Sequence, residues 1–529
     1  MTDTNTRRLL MLAATSIVAI ASTGPALANV AGTTIASTQD AVSQIIVGLI
    51  VLGMFIGLAL DKAHRTLIVA GSLAVLFLIT YFTPYRLISF ETAKDAIDLN
   101  VIMLLASMMA LVGVLKTTNV FPWAVDQLLV RSKGHPGRAA RLIIWFTGVL
   151  SAFLDNVTTV IFTYPMSSEM ARRMKINASA FLLPMVMAAN IGGTATLIGD
   201  PPNVLIGGGA PMPFMEFIYN LAVPVGFMMF ALVWYSERYF PNDIGKNYTA
   251  ATGEGSESSG TQIKNVALLK WTCVICVFVF IGFGTHTVTQ MPVAVPAVIG
   301  VTAVLILQDY FYLKTHKPTH VERQHGVLNV IEKDIEWPTL AFFLFLFAIV
   351  GAAVATGVIE SAATGLAWLI NTIAVGLGLS KPATILLAAL IVLWVSGFLS
   401  AVIDNIPYTA VSIPIIASLI RFFEADPMGD GQVLWWALAL GACLGGNGTM
   451  IGASANVTVV GLAEKDNKRI SFNEFTAFGA RVTAITLAMS TVYLALWVYV
   501  GGLLVNLAGA GVLAAMVAWN VLRGRAKTA

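Results

Sequence analysis

Charged residues are scarce in this sequence. Only 11% of its 529 residues are Asp, Glu, Lys or Arg, whereas a soluble globular protein carries about 25%. Hydrophobic residues make up 57% of the chain. Apolar stretches of about 20 residues, long enough to span a bilayer, recur from end to end. This composition excludes a soluble domain and predicts an all-α, multi-pass membrane protein.

Cysteine and histidine are also rare, with three and six residues. Cys273, Cys276 and Cys443 all lie inside apolar segments, and the CxxC spacing of the first two has no second pair nearby. We interpret them as buried helix residues rather than as a metal or redox site. The sequence contains no HExxH motif, no paired His-Ser arrangement and no GxxxxGK[ST] phosphate loop. We therefore predict that the protein is not an enzyme and holds no cofactor.

The N-terminal region resembles a secretory signal peptide over residues 1–28. Arg7 and Arg8 precede a short apolar run and an A-x-A cleavage pattern at residues 26–28. An uncleaved first transmembrane helix is the alternative, and in both cases the following residues lie outside the cytoplasm. We predict a bacterial inner membrane from this leader. No basic tract is interleaved with aromatic residues, so we expect no nucleic-acid partner.

Two polar segments interrupt the apolar pattern of the first half. Residues 141–168 are apolar but have basic residues at both ends, and a single span would place one end outside, against the positive-inside rule. A re-entrant hairpin that returns to the cytoplasm satisfies both ends, with Asp155 and Asn156 at its tip. Residues 177–207 contain "NIGGTATLIGDPPN", whose glycines and prolines cannot continue one regular helix. We predict a helix broken by an unwound loop near the bilayer midplane.

Three motifs recur in the same order in the second half of the chain. Their offsets are 348 − 110 = 238, 400 − 151 = 249 and 445 − 192 = 253 residues. The pairs are "ALVGVLKTTNV" (110–120) with "AIVGAAVATGV" (348–358), "SAFLDNVTT" (151–159) with "SAVIDNIPY" (400–408), and "GGTATLIGDPPNV" (192–204) with "GGNGTMIGASANV" (445–457). The chain is therefore an internal duplication.

Counting the predicted membrane crossings along the chain indicates that the second repeat is inverted relative to the first. Its hairpin, near 382–418, opens to the outside, and its broken helix, near 432–461, runs inward. Inverted repeats of this kind are typical of secondary transporters, whose sites lie at the repeat interface near the midplane. We divide the chain into a first repeat at 41–240, a cytoplasmic linker at 241–264, a second repeat at 265–500 and an extra C-terminal transmembrane helix at 502–523.

Several motifs resemble those of one transporter family. "LSAFLDNVTT", "NIGGTATLIGDPPNV", "VSGFLSAVIDNIPYTA" and "ALALGACLGGNGTMIGASANV" are similar to the melanosomal (pink-eyed dilution) P protein family. That family belongs to the ion-transporter superfamily, with arsenite permeases, D-type sodium/proton antiporters and dicarboxylate carriers. The resemblance implies a scaffold domain, usually dimeric, and a mobile transport domain of two hairpins and two broken helices that moves as an elevator.

The two Asp-Asn pairs are the first candidates for a binding site, because a carboxylate inside the membrane is costly and by default functional. Asp155 is either an ion ligand or a proton carrier. The surrounding donors are all oxygens, which suit a hard cation such as Na+. We predict Na+ at Asp155, Asn156 and Asn203, and again at Asp404, Asn405 and Asn456. The complete predicted ion or substrate site comprises Asp155, Asn156, Thr158, Thr159, Asn190, Gly193, Thr194, Thr196, Asp200 and Asn203, with Asp404, Asn405, Thr409, Gly446, Asn447, Thr449 and Asn456.

Some of these residues have a structural alternative. Asp155 and Asp404 are also favourable helix N-caps, and Asp200 is either a site residue or a cap. Ala453 stands opposite Asp200 in the repeat, so we predict more charge in the first half and a weaker or vestigial site in the second. Trp435 and Trp436 are expected in an interfacial aromatic belt.

The sequence predicts a secondary active ion transporter, coupled to protons or sodium, with alternating access to a midplane site. The alternatives are an arsenite or anion permease and an anion channel of the same fold. We expect the partners to be the lipid bilayer, a small inorganic ion or small anion, and a second copy of the chain in a homodimer.

Overall fold

The computed structural model describes residues 39–60, 62–210, 212–245, 261–315 and 330–526. The predicted signal peptide and most of the predicted linker lie outside these residues. Among the described helices, 12 are long and apolar enough to cross a membrane. The prediction of an all-α, multi-pass membrane protein is thus confirmed.

The helices follow one another with short connections. In chain order they are α1 (Ala41–Leu60), α2 (Arg65–Phe82), α3 (Phe90–Asp95), α4 (Leu99–Thr117), α5 (Val120–Ser132), α6 (Pro136–Ser151), α7 (Asn156–Met174), α8 (Ser179–Gly193), α9 (Pro201–Gly209), α10 (Phe214–Tyr239), α11 (Val266–Thr289), α12 (Ala294–Thr315), α13 (Trp337–Ala355), α14 (Val358–Gly376), α15 (Lys381–Val402), α16 (Asn405–Phe422), α17 (Gln432–Gly445), α18 (Ser454–Lys465), α19 (Phe472–Val500) and α20 (Gly502–Ala526).

The described chain forms two compact units. The smaller one comprises residues up to Asp98 together with Pro338–Ala363. Within it, Thr66 Oγ1 donates a hydrogen bond to the carbonyl oxygen of Pro338 at 2.9 Å. Ile45, Leu49 and Leu52 of α1 are exposed. Since residues spaced by three or four share one face of a helix, they form an apolar stripe suited to lipid.

The larger unit comprises Leu99–Trp337 and Thr364–Ala529, and it contains both hairpins and both broken helices. The first hairpin consists of α6 and α7. Near the start of α6, Arg141 pairs with Glu237 at 3.1 Å. Just after α7, the backbone N–H of Asn177 donates to Asp243 Oδ1 at 3.0 Å. Because both ends of the hairpin contact the same short segment, the chain returns to the side from which it entered.

The second hairpin consists of α15 and α16, and a lysine closes its open end. Lys381 Nζ at the start of α15 donates to the carbonyl oxygen of Glu424, just beyond α16, at 2.9 Å. Both ends of this hairpin therefore also lie on one side. The two predicted re-entrant hairpins are confirmed.

Both broken helices are interrupted where the sequence predicts, between α8 and α9 and between α17 and α18. Close backbone contacts require glycine at the breaks. A Cβ atom on Gly199 would lie 2.5 Å from the Ser151 carbonyl oxygen, and one on Gly452 would lie 2.8 Å from the Ser400 carbonyl oxygen. The same contact at equivalent positions shows that the two repeats share one local structure.

The second half of each broken helix packs against the hairpin of the other repeat. A Cβ atom on Gly209, in α9, would lie 2.5 Å from Ile413 of α16. Beyond the end of α18, Asp466 Oδ2 accepts a hydrogen bond from Tyr164 of α7 at 2.8 Å, and Lys468 Nζ donates to the Ser168 carbonyl oxygen at 3.1 Å. This exchange of partners makes the two inverted repeats a single core.

The first halves of the broken helices are the most buried elements. Every residue of α8 and α17 is buried. Trp435 and Trp436 are 1% and 0% exposed, and the ring of Trp436 contacts Phe217 edge-to-face at 5.3 Å. The expectation that these tryptophans form an interfacial belt is therefore wrong, because α17 lies at the centre of the unit rather than against lipid.

Two further helices have no counterpart in the sequence-based segments. They are α5 and α14, which begin at equivalent positions of the two repeats, since 358 − 120 = 238. The 13-residue α5 carries Asp126 and Arg131, so it lacks the long apolar run that marks a span. A short helix such as α5 is hard to detect from hydrophobicity alone, whereas α14 is long and apolar enough to cross a membrane.

Candidate functional site

Buried polar side chains meet where the tip of the first hairpin faces the break between α8 and α9. Asn156 is the first residue of α7. Its Nδ2 atom donates to Asn190 Oδ1 at 3.1 Å and to Asp200 Oδ1 at 3.2 Å. All three side chains are at most 3% exposed. The hairpin tip is thus bound to both halves of the first broken helix.

Asn190 extends these contacts into the second repeat. Its Nδ2 atom donates to Asn447 Oδ1 at 2.8 Å and to Asn456 Oδ1 at 2.9 Å. Asn405, the first residue of α16, is close enough to Asp200 to interact with its carboxylate. We refer to these connected residues as the central cluster, which comprises Asn156, Asn190, Asp200, Asn405, Asn447 and Asn456.

Two asparagines hold the unwound segments in shape. Asn203 Nδ2 donates to the carbonyl oxygens of Thr194 and Thr196 at 2.9 and 2.8 Å. In the second repeat, Asn456 Nδ2 donates to the carbonyl oxygens of Gly446 and Thr449 at 2.8 and 2.9 Å. Buried carbonyl groups that leave a helix need such partners. These two amides therefore stabilise the breaks themselves.

Asp200 does not cap a helix with its side chain, and its role as a site residue stays a prediction. It occupies the N-cap position of α9, but its side chain makes no capping hydrogen bond. The residue is 0% exposed, and its Oδ2 atom has no hydrogen-bond partner in the described chain. Ala453 holds the equivalent position before α18. The first half of the cluster therefore contains a buried carboxylate that the second half lacks.

Asp155 and Asp404 lie at the edge of the cluster and cap the hairpin helices. Asp155 Oδ1 accepts from the Thr158 backbone N–H at 2.8 Å, and Asp404 Oδ1 accepts from the Ile406 N–H at 3.0 Å. Both residues are half-buried, and both carboxylates interact electrostatically with Asp200. Asp155 and Asp404 therefore both cap helices, and their role as ion ligands stays a prediction.

The predicted threonines mostly bond to backbone close to the tips. Thr196 Oγ1 donates to the Ala152 carbonyl oxygen, and Thr449 Oγ1 donates to the Ala401 carbonyl oxygen, each at 2.5 Å. Thr409 Oγ1 bonds within α16, to the Asn405 carbonyl oxygen at 2.7 Å. These residues join each tip to its own broken helix.

The remaining predicted residues lie around the same breaks. Thr194 Oγ1 donates to the Asn190 carbonyl oxygen at 2.9 Å. Thr159 is buried, and its Oγ1 atom has no partner among the described residues. A Cβ atom on Gly193 would lie 2.5 Å from the Gly199 carbonyl oxygen, which leaves no room for a side chain, and one on Gly446 would lie 3.1 Å from the Gly452 carbonyl oxygen, a tight but less restrictive contact. Thr158 contributes its backbone N–H to the cap.

The residues of the first predicted sodium site have different partners. Asp155 caps α7, Asn156 binds Asn190 and Asp200, and Asn203 Nδ2 holds the unwound segment. In the second predicted site, Asp404 Oδ2 accepts from Ser454 Oγ at 3.1 Å. Occupancy of either set by Na+ stays a prediction.

Cys443 borders the cluster, although its position in an apolar segment predicts only a buried helix residue. It is buried, at 0% exposed, and its Sγ atom lies 3.6 Å from Asn203 Oδ1. The interpretation of all three cysteines as buried is wrong for Cys273, which is exposed, and Cys276 is half-buried. The repeat offset could have indicated that Cys443 lies at the cluster. Since 443 − 190 = 253, Cys443 is the counterpart of Asn190.

Three atoms of the central cluster lack a hydrogen-bond partner in the described chain. They are Asp200 Oδ2, Asn405 Nδ2 and Asn447 Nδ2, and the three residues are at most 2% exposed. Buried polar atoms are nearly always paired, so each exception needs an explanation. One carboxylate acceptor and two amide donors together can hold a cation or proton and an oxygen atom of an anion.

Comparison with known proteins identifies relatives that align with most of the chain. A family model described as a citrate transporter, CitMHS, matches residues 55–441. An uncharacterized transporter of Mycobacterium tuberculosis is 34% identical over 445 residues, which cover 84% of this chain and 96% of that protein. The P protein of Sus scrofa is 27% identical over 521 residues, covering 85% of this chain and 59% of that protein. The motif resemblance to P proteins is therefore real but distant.

Two solved structures have a similar fold. The YdaH transporter of Alcanivorax borkumensis aligns with a TM-score of 0.55 at 14% identity, over 87% of this chain and 98% of that one. Neisseria gonorrhoeae MtrF aligns with a TM-score of 0.54 at 12% identity, over 92% and 98%. Both agree with the predicted fold class of inverted repeats with hairpins and broken helices.

Proposed function

The chain belongs to the CitMHS citrate transporter family, and on this premise we propose that it is a secondary active transporter that couples Na+ or H+ to the movement of a small anion. Family membership makes the protein a membrane transporter and not an enzyme, as the missing catalytic motifs predict. The observation that carries the finer proposal is the set of unpartnered polar atoms at Asp200, Asn405 and Asn447.

The amide donors support an anion as the transported solute. Asn405 Nδ2 and Asn447 Nδ2 are buried donors without acceptors, and a carboxylate oxygen would satisfy them. The helices α7, α9, α16 and α18 all begin around the cluster, and helix N-termini favour negative charge. A small carboxylate such as citrate, which the family description names, has this chemistry.

The carboxylate of Asp200 supports coupling to a cation. A buried carboxylate whose neighbours are amides and a thiol, as for Asp200, is strongly unfavourable in its ionised form unless it is neutralised by a bound cation or a proton. The interactions of Asp155 and Asp404 with Asp200 add negative charge at the same place. Na+ or H+ would therefore enter together with the anion and offset both charges. A neutral solute such as arsenite, or a simple anion channel, would not require this carboxylate.

The two hairpins support alternating access. Each hairpin returns to its own side, and its tip reaches the central cluster from that side. One tip can thus close the route to each face of the membrane. We propose that the hairpins and broken helices move together as an elevator domain against a scaffold, in a homodimer, as the resemblance to P proteins implies. The bacterial relatives support a location in the plasma membrane.

Flux measurements in proteoliposomes test the proposal. The purified protein is reconstituted, and uptake of citrate, succinate, chloride and arsenite is followed under an imposed Na+ gradient or pH gradient. We expect carboxylate uptake that accelerates when one gradient is imposed and stops when it is collapsed. Uptake that ignores both gradients would contradict coupling, and chloride or arsenite flux without carboxylate flux would favour the permease or channel alternatives.

A further inference from the structure

The central cluster is not symmetric, although the repeats around it are. Asn405 is the counterpart of Asn156, since 405 − 156 = 249, and Cys443 is the counterpart of Asn190. Ala453 is likewise the counterpart of Asp200, since 453 − 200 = 253. Equivalent backbone contacts at Gly199 and Gly452 support this correspondence. The two halves of the cluster therefore share one backbone arrangement and differ in their side chains.

The amide of Asn156 is fully satisfied inside the protein. Its Nδ2 atom donates to Asn190 Oδ1 and to Asp200 Oδ1. In the second repeat the two equivalent acceptors are absent, because Cys443 and Ala453 have no side-chain oxygen. The Nδ2 atom of Asn405 accordingly makes no hydrogen bond of ordinary length in the described chain, although its side chain lies near the Asp200 carboxylate, and the residue is 2% exposed.

Cys443 nevertheless keeps the place of its counterpart. Asn190 Nδ2 lies 2.9 Å from Asn456 Oδ1, and Cys443 Sγ lies 3.6 Å from Asn203 Oδ1, which is the mirror-image contact because 456 − 203 = 253. The thiol thus has the same neighbour as the amide it replaces. What it lacks is a strong acceptor for Asn405, since thiol sulfur accepts hydrogen bonds only weakly.

We propose that Cys443 is a positioning residue that determines specificity: because its thiol cannot supply the acceptor that Asn190 supplies to Asn156, the Asn405 amide can donate a hydrogen bond to an oxygen atom of the transported anion. This inference rests on the proposed function and names one binding group of that site. The side chains of Asn405 and Cys443 both lie near the carboxylate of Asp200, the residue proposed to hold the coupling cation or proton.

Packing alone does not account for the cysteine. Asparagine is compatible with this position of the framework, because the first repeat has Asn190 there. An unpaired buried donor is destabilising, so a core selected for stability would favour an acceptor at residue 443. Polar groups that are left unsatisfied at the cost of stability are typical of binding sites.

The test compares Cys443→Asn and Cys443→Ser with wild type and with Cys276→Ala, which removes a thiol from α11, outside the cluster. The first readout is the Tm of the purified full-length protein without citrate. Asparagine or serine gives Asn405 an oxygen acceptor, so we expect the Tm to rise by a few degrees in Cys443→Asn and by less in Cys443→Ser. Cys276→Ala should show no such gain.

The second readout is uptake of radiolabelled citrate into proteoliposomes. An acceptor inside the protein competes with the solute for the Asn405 amide, so we expect KM for citrate to rise by about tenfold in Cys443→Asn while kcat changes much less. Cys443→Ser should change KM in the same direction. A purely structural cysteine would alter stability and kcat without raising KM selectively.

Each possible result either supports or overturns the proposed role of Cys443. An unchanged KM for citrate in both Cys443 variants, or a Tm at or below that of wild type in both, would overturn it. Failure of both variants to fold counts against it too, because a gain in stability is expected. If wild-type protein moves no citrate, the proposed function fails for that solute, and the Tm comparison still decides whether Cys443 leaves the amide unpaired.

Discussion

Asn190 Nδ2 lies 2.9 Å from Asn456 Oδ1, although 266 residues separate them. Asn190 belongs to the first broken helix and Asn456 to the second, so this hydrogen bond joins the two repeats at their common centre. The same amide nitrogen also donates to Asn447, and its oxygen accepts from Asn156. One side chain of the first broken helix therefore connects the first hairpin tip to the second broken helix.

Replacing Asn190 with alanine should destabilise the protein. Asn447 and Asn456 would each lose a buried donor, and an unpaired buried polar group costs about 1–3 kcal/mol. We expect the free energy of unfolding to fall by roughly 2–5 kcal/mol and transport to be lost. Thermal unfolding in detergent measures the first effect. Asn242→Ala, at an exposed position, is the matched control, and an equal effect of both substitutions would contradict the prediction.

Asp200→Asn should uncouple or abolish transport while the protein stays folded. The substitution keeps the size of the side chain and the acceptor for Asn156 but removes the charge. An interaction with a charged group contributes about 1.5–3 kcal/mol, so gradient-driven uptake should fall by roughly 10- to 150-fold. Asp95→Asn makes the same change at an exposed residue. Gradient-driven uptake at the wild-type rate in Asp200→Asn would exclude a coupling role.

Asp155→Asn and Asp155→Ala together separate capping from charge. Asparagine caps a helix as well as aspartate, whereas alanine lowers stability by about 1 kcal/mol when it replaces a cap. If Asp155 contributes charge to the site, Asp155→Asn should slow coupled uptake at nearly wild-type Tm, and Asp155→Ala should lower both. Wild-type uptake in Asp155→Asn would reduce this residue to a cap.

Gly445→Ala should be far more damaging than Gly461→Ala. A Cβ atom on Gly445 would lie 2.5 Å from the Gly397 carbonyl oxygen and 2.7 Å from its Cα atom, and backbone cannot move aside cheaply. We expect a loss of at least about 1–3 kcal/mol from overpacking. Gly461, in α18, has no atom within 4 Å of its Cβ position, so alanine there should be neutral or stabilising by helix propensity. The yield of folded protein and its Tm compare the two.

The main elements of the fold are predictable because their signals are local. The first hairpin follows from an apolar stretch with basic ends and the second follows from the repeat, while the breaks follow from Gly199, Pro201 and Pro202 in the first repeat and Gly452 in the second. The helix α5 escapes prediction because it is short and carries Asp126 and Arg131, whereas α14 is long and apolar enough to cross a membrane and its absence from the prediction has no such reason. Trp435 and Trp436 were placed wrongly because an apolar helix has the same sequence pattern against lipid and at the centre of a protein.

The residues of the site are predictable to a smaller extent. The repeat points to the asparagines and to Asp155 and Asp404, but it cannot separate a cap from a ligand. Asp200 is distinguished by its full burial and its unpartnered Oδ2 atom, neither of which depends on sequence spacing. Cys443 stands out only once its neighbour Asn203 is known.

The sequence by itself determined the duplication, the hairpins and the breaks, since the order and spacing of motifs along the chain are sufficient to establish them. Tertiary structure alone decided how the hydrogen bonds are distributed: Asn156 Nδ2 donates to two acceptors, whereas Asn405 Nδ2 makes no hydrogen bond of ordinary length in the described chain and only lies near the Asp200 carboxylate. The physical reason is that pairing of a buried amide depends on which distant atoms the inverted packing of the repeats brings within about 3 Å.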